Sequence, residues 1–352
     1  MPDHSERALA THASDAGALP DGIHRIALPT PFPIGRVNIY LLEGEPLTLV
    51  DTGVNTGTSL DILEQVLGGL GYRIEDIELL LLTHEHVDHV GLSTVIARRA
   101  DCPVAAYAPL GALWDPEQDP TQMLAARLGW GVIQLERHGY PRELVIGAQP
   151  AFHLMSALGS RPVIDVALRP GDTIRAGSRD WEVLHRPGHS PSDLMYVDRS
   201  TGTALAGDHI LGATSSNPVL SPPLEVPMPD PTTERLRSLP MFIESMRQTA
   251  ADELSLVLPG HGPLVGPPAP LVAERLAFHE KRAAKFLGML DAAEPQTVYD
   301  LATRMWKGVV MVQPTLTHSE MIGHLDLLED DGCVEEVVIG DGVVGFIAPS
   351  RS

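Results

Sequence analysis

The chain has 352 residues, enough for one large domain and a smaller one. Hydrophobic residues make up 43% and charged residues 20%, a globular balance that excludes wholesale disorder. The formal net charge of -21 repels phosphate backbones at long range, which sets nucleic acid aside as a first expectation for the partner.

The opening stretch MPDHSERALATHASDAG lacks the apolar region of a secretory signal. No segment approaches the ~20 apolar residues of a membrane span, so a soluble, cytoplasmic protein without membrane contact is expected. Residues 1–22 read as a mobile tail. Cys102 and Cys333 lie far apart and outside any CxxC pair, the pattern of reduced thiols rather than of a disulfide framework.

From residue 23 the chain alternates strands, loops and helices, an α/β pattern. Residues 37–42 and 48–50 read as strands, the second running into Asp51-Thr52-Gly53. Leu60, Ile62, Leu63, Val66, Leu67 and Leu70 recur at helical spacing over 58–70. Residues 77–82 (IELLLL) form a buried strand that leads into Thr83-His84-Glu85-His86-Val87-Asp88-His89, followed by a helix over 92–99 and a strand over 104–107.

Residues 110–160 read as a mostly helical insertion over one end of the sheet, a lid or pocket wall. Trp114, Met123, Trp130 and Phe152 are its candidate pocket residues. Strands return over 163–206, residues 214–231 are loop, a helix covers about 232–250, and the strand 256–258 runs into Pro259-Gly260-His261-Gly262. Val265-Gly266-Pro267-Pro268-Ala269-Pro270 marks a boundary. Beyond it, helices fit 271–290, 297–306 and 317–330. Two short apolar runs then flank Gly340-Asp341-Gly342, a hairpin signal. Three helices and a hairpin suggest a small winged-helix domain over 271–349.

His84-x-His86-x-Asp88-His89 places four metal-capable side chains within six residues at the end of a strand. Imidazole and carboxylate without thiolate suit zinc, and iron or manganese fits the same donors. His189, Asp208 and His261 each follow a predicted strand and sit beside glycine, which lets the backbone approach a metal closely.

With these motifs the chain resembles the metallo-β-lactamase superfamily over residues 23–265. The resemblance implies a four-layer αββα sandwich with two metal ions, taken as zinc, at one edge of the sheets. By similarity His84, His86 and His189 hold the first metal; Asp88, His89 and His261 hold the second; Asp208 bridges them. Asp51 orients the cluster from behind, and His209 stands next to it. The chemistry implied is a shared water whose pKa falls from ~15.7 toward ~7, giving a metal-bound hydroxide that attacks a carbonyl or a phosphorus. Asp88 is the candidate acceptor for the water's proton. His185 is expected to pack beside the site. His138, His153, His279, His318 and His324 are expected on the surface or on helices rather than among the ligands.

Members with such a site cleave thioesters, lactones, phosphodiesters or β-lactams. A bridging aspartate is typical of all but the true β-lactamases. The region 271–349 resembles the winged-helix appendage of a branch that includes an RNA-cleaving member, so phosphodiesterase or endoribonuclease action is the alternative. Against it, no Lys or Arg lies between Lys307 and Arg351, whereas Glu320, Asp326, Glu329, Asp330, Asp331, Glu335, Glu336 and Asp341 do. The appendage is therefore expected to pack, to close the pocket or to form a homodimer contact. The first expectation is hydrolysis of an ester, thioester or lactone in a small molecule with an acyl or ring portion. A metal-binding sensor is the non-enzymatic alternative.

Overall fold

The computed structural model describes residues 19–291 and 293–349. The expected mobile tail falls outside that range except for residues 19–22, of which Leu19 packs on the inner core. Strands β1 (Ile23–Leu28), β2 (Val37–Leu42), β3 (Thr48–Val50), β4 (Leu79–Leu81), β5 (Val104–Tyr107) and β6 (Val166–Leu168) form a six-stranded sheet in that order. Its first three strands are antiparallel, and from β3 onward neighbours run parallel. A second sheet has the order β11-β10-β9-β8-β7, built from β7 (Thr173–Ala176), β8 (Arg179–His185), β9 (Leu194–Asp198), β10 (Thr203–Gly207) and β11 (Leu256–Pro259).

The layering follows from strand alternation. In the leucine run, Leu79 and Leu81 point between the sheets, where they meet Trp181, Val183, Tyr196 and Leu258. Leu80 and Leu82 point outward and pack on Ile62, Leu63, Val66 and Leu67 of the helix Gly57–Leu70. A strand apolar on both faces is what burial on both faces requires, and each such side chain contributes roughly 1.5–3 kcal/mol. The second sheet turns Met195, Val197, Ala204 and Val257 outward onto Leu239, Phe242, Ile243 and Met246 of the helix Ser238–Ala251. Helix, sheet, sheet and helix are thus stacked in the expected αββα order.

The 110–160 region forms the helices Leu110–Leu113, Pro120–Arg137 and Arg142–Ser156. The second of these opens on Asp119, whose carboxylate accepts from the Thr121 and Gln122 amides, with Pro120 in the first turn. Leu135, Tyr140 and Val145 share a core with Phe286, Val298, Leu301, Ile322 and Phe346. The insertion therefore packs on the C-terminal elements, which are the helices Ala269–Leu287, Val298–Trp306, Val309–Val312 and Pro314–Asp330 and the hairpin β12 (Glu335–Gly340) and β13 (Val343–Ile347).

Two sequence expectations need correction. The helix forecast from 232 begins only at Ser238, because Arg235 and Arg237 are held outside it by carboxylates: Arg235 forks onto both oxygens of Asp326, and Arg237 meets Glu329 and Asp330. The C-terminal acids are not a free negative face. Glu320 pairs with Arg282 and Glu336 with Arg137, so much of that charge closes intramolecular contacts. His279, His318 and His324 do lie on helices and His138 ends one, but all four are buried, and only His153 is exposed. Both cysteines are free, Cys102 buried and Cys333 partly so. No described helix is long and apolar enough to cross a membrane.

Candidate metal centre

Every predicted ligand follows the C-terminal end of a strand at one edge of the sandwich. β4 delivers His84, His86, Asp88 and His89, the last two on the short helix Val87–Val90. β8 leads to His189, β10 to Asp208 and β11 to His261. The two sheets are laced together there, with the Asn38 amide donating to Gly260 O at 2.6 Å and the Leu194 amide to Thr83 O at 2.9 Å. Gly260 is where a side chain could not fit: a Cβ would collide with Asp208 Oδ1 and stand 2.7 Å from His89 Cε1.

The seven side chains converge. His86 Nδ1 lies 3.1 Å from His84 Nε2 and 2.9 Å from His189 Nε2. His261 Nε2 lies 3.3 Å from Asp88 Oδ2. Asp208 sits between the two sets, its oxygens 3.4 Å from His89 Nε2, 3.5 Å from His189 Nε2 and 3.4 Å from His261 Nε2. Three overlapping triads result, His84/His86/His189, His84/His89/Asp208 and Asp88/His89/His261, with donor atoms within 4.8 Å of one another in each.

The outer nitrogens are anchored. His89 Nδ1 is 2.8 Å from Asp51 Oδ2, His261 Nδ1 is 2.8 Å from Arg36 O, His189 Nδ1 is 3.0 Å from Asn217 O, and His84 Nδ1 is 3.0 Å from Thr83 Oγ1. Asp51 also accepts from the Thr83 amide and hydroxyl, and holds a left-handed backbone with φ 58° to do so. Facing inward, His89 Nε2, His261 Nε2 and Asp208 Oδ1 are buried with no hydrogen-bond partner. Buried polar atoms left unsatisfied are costly, whereas ring nitrogens oriented from behind and bare in front are what metal-binding histidines show. The residues fit a pair of divalent cations.

The electrostatics agree. Burial drives His84 well down, helped by His89 and His86, and carries His189 down to about 4, so both rings present lone pairs at neutral pH. Burial also opposes charge on His89, but Asp208 and Asp51 outweigh it and hold the ring well above the usual histidine range. Burial would raise Asp208, yet His89 and His261 pull it far below the carboxylate range. Asp88 is likewise lowered, with His261 and His89 overcoming its burial. The anionic half of the cage is ionised before any cation arrives.

His209 is not in any triad. Its Nε2 meets Thr249 Oγ1 at 2.8 Å, which ties the Asp208 loop to the helix Ser238–Ala251. His185 stacks on Tyr107 with ring centroids 4.4 Å apart. Of the expected pocket residues, Trp114 and Met123 lie in the core on the outer face of the first sheet. Trp130 is buried with its indole N–H on Thr233 O at 2.9 Å, and Phe152 is half-buried. The first three are buried. Sequence reasoning passed over Glu85, whose carboxylate accepts from the hydroxyls of Ser190 and Ser192, and Asp193, buried 3.9 Å from His84 Nδ1. The run Ser190-Pro191-Ser192-Asp193 directly after His189 was the available signal.

Residues 33–261 match the metallo-beta-lactamase superfamily. The chain belongs to that superfamily. It is 30% identical over 325 residues to the probable metallo-hydrolase YqjP of Bacillus subtilis, covering 90% of this chain and 95% of the relative. Among solved structures, metallo-beta-lactamase family protein TTHA1429 of Thermus thermophilus superposes with a TM-score of 0.77 at 25% identity, over 94% of this chain and all of that one (100%). A shorter likeness, 29% over 107 residues, links it to a hydroxyacylglutathione hydrolase of Cereibacter sphaeroides, covering 27% of this chain and 41% of that protein. With its histidine–aspartate cage, this superfamily member is a metallo-hydrolase.

Proposed function

We propose that this superfamily member opens an ester, thioester or lactone carbonyl in a small molecule, with two zinc ions as its metals. The observation that carries the reading is Asp208, a single ionised carboxylate standing 3.4–3.5 Å from histidines of both ligand sets. A pair of divalent cations held by these donors would supply Lewis acidity, bringing the pKa of a water toward ~7 and stabilising the oxyanion of an attacked carbonyl.

The chain's own residues do the rest. His84, His86 and His189 form one set of donors, and Asp88, His89 and His261 the other. Asp51 keeps the His89 ring turned with Nε2 inward. Asp88, ionised and 3.3 Å from His261 Nε2, is placed to accept a proton at Oδ2. Carbonyl rather than RNA chemistry is supported by the net charge of -21 and by the absence of Lys and Arg over 308–350. The likeness to a hydroxyacylglutathione hydrolase points the same way.

The test is a panel of thioesters, lactones, esters and single-stranded RNA, each with and without chelator, on wild type and His84→Ala. Chelator-sensitive turnover of a carbonyl substrate, lost in His84→Ala, is expected. RNA cleavage lost in the same variant, with every carbonyl substrate inert, overturns the reading. Asp88→Asn with both metals still bound and full activity removes the proton role.

A further inference from the structure

We propose that Arg127 and Arg161 form an anion-holding site beside the metal loop, one that takes the carboxylate or phosphate of a small substrate. The inference rests on the reading of the histidine–aspartate cage as the reacting centre. Arg127 stands on the helix Pro120–Arg137 one turn after Met123, so the two share a face. Arg161 reaches the same face from the segment after Arg142–Ser156, its Nη1 3.6 Å from Met123 Sδ. That segment is seated on the metal loop. Ser160 Oγ donates to Val90 O at 2.7 Å, and a Cβ on Gly159 would stand 2.9 Å from Val87 Cγ1. Arg127 is close enough to feel the charges of both Arg161 and Glu85, the residue between His84 and His86.

What marks the pair is that both guanidiniums are half-buried without a carboxylate partner. Arg99, Arg179, Arg186, Arg235 and Arg282 each meet a carboxylate. Among the described residues Arg127 and Arg161 have none, and Arg127 Nη1 is buried with no hydrogen bond at all. Glu85, whose Oε2 takes the Ser190 and Ser192 hydroxyls, makes no ion pair with either arginine. The chain has 46 acidic residues against 25 Lys and Arg, so acidic partners were plentiful. Two like charges kept half-buried without an ion pair, one of them next to a segment seated on the metal loop, are matched by an arriving oxyanion. The global acidity does not oppose this. Screening confines the general field to roughly 8–10 Å, and a small anion docked between two forks meets the local cations.

The test reads binding, not turnover. Calorimetry on the metal-loaded full chain uses S-methylglutathione, which offers carboxylates, and S-methyl-coenzyme A, which offers phosphates; the S-methyl group keeps sulfur off the metals. At least one should bind, and which one identifies the source of the oxyanion. Arg127→Met and Arg161→Met should each weaken it about tenfold or more, the size expected for a lost charge-assisted hydrogen bond. Arg127→Lys should recover part of the loss, with metal content unchanged throughout. Binding of neither ligand, or wild-type affinity in both Met variants, overturns the proposal. Should Arg127→Met fail to fold, Arg161→Met and Arg127→Lys carry the same comparison. Anion binding lost in the variants while every ester, thioester and lactone stays inert sinks the carbonyl reading and leaves the anion site standing. Thioester turnover with anion binding indifferent to both arginines does the reverse.

Discussion

The metal edge and the C-terminal helices both bury histidines in ring-to-ring contact, yet their electrostatics are opposite. Near the hairpin, His318 Nε2 lies 3.0 Å from His138 Nδ1, and on the neighbouring helices His279 Nδ1 lies 3.1 Å from His324 Nε2. The one carboxylate near the second pair, Glu320, is 3.9 Å from His324 Nδ1 and already taken by Arg282. Burial therefore dominates, carrying His138 down to about 3 and His279 and His324 down to about 4. At the metal edge Asp51, Asp88 and Asp208 offset the same burial and reverse its sign at His89 and His261. Proximity of imidazoles is thus insufficient. Acceptors behind the ring are common to both regions, as at His138 with Gln134 O and His324 with Glu320 O; carboxylates in front turn a histidine cluster into a cation cage, and without them it is a neutral packing element.

Removing the bridging carboxylate should break this contrast most sharply. Asp208→Ala is expected to lower hydrolysis by about a thousandfold, ~4 kcal/mol, and to abolish stoichiometric metal binding, while His318→Gln leaves both intact. Metal analysis beside rate measurements decides, and equal losses in the two variants refute the distinction. In the C-terminal region the vulnerable point is the buried fork between Arg235 and Asp326. Asp326→Ala should cost about 3–5 kcal/mol of stability by stranding the guanidinium, read from denaturant unfolding. Behind the cage, Asp51→Asn is expected to reduce metal affinity about 10–100-fold with the fold retained, measured by competition with a chelator.

The most gradual effect is on pH. His138, His279 and His324 have folded values below the unfolded ~6.5, so their unfolded forms take up protons first as the pH falls. Stability is complete above about 6.5 and declines toward pH 4 and 3, by about 1.4 kcal/mol per pH unit for each histidine. Melting curves of His138→Gln across that window should show a shallower slope than wild type, and an unchanged slope removes His138 from the account.

Much of the cage was readable because its densest part is local: four donors fall on one loop after a leucine strand, and the remaining three each follow a strand. The sandwich was readable for the same reason, since a run such as Leu79–Leu81 announces burial on both faces. What stayed hidden depends on pairing across long separations. The Arg235–Asp326 fork spans 91 residues and leaves no local mark, so the acids of the last helix read as free charge. Arg127 and Arg161 carry no local mark either, and only the fold brings them within reach of each other's charge. For Trp114 and Met123, periodicity marks an apolar side chain as buried without saying against which layer.

The acceptor behind His189 has a different footing from the others. Asn217 O holds that ring, and the stretch around Asn217 leans on the helix Pro314–Asp330 through Asn217 Nδ2 to Leu316 O at 3.5 Å and the Leu220 amide to Ser319 Oγ at 3.0 Å. His89 and His261 are braced by Asp51 and Arg36, far upstream. The helix Pro314–Asp330 is thus a keystone for the His189 corner of the cage, a support on which the other two rings do not draw.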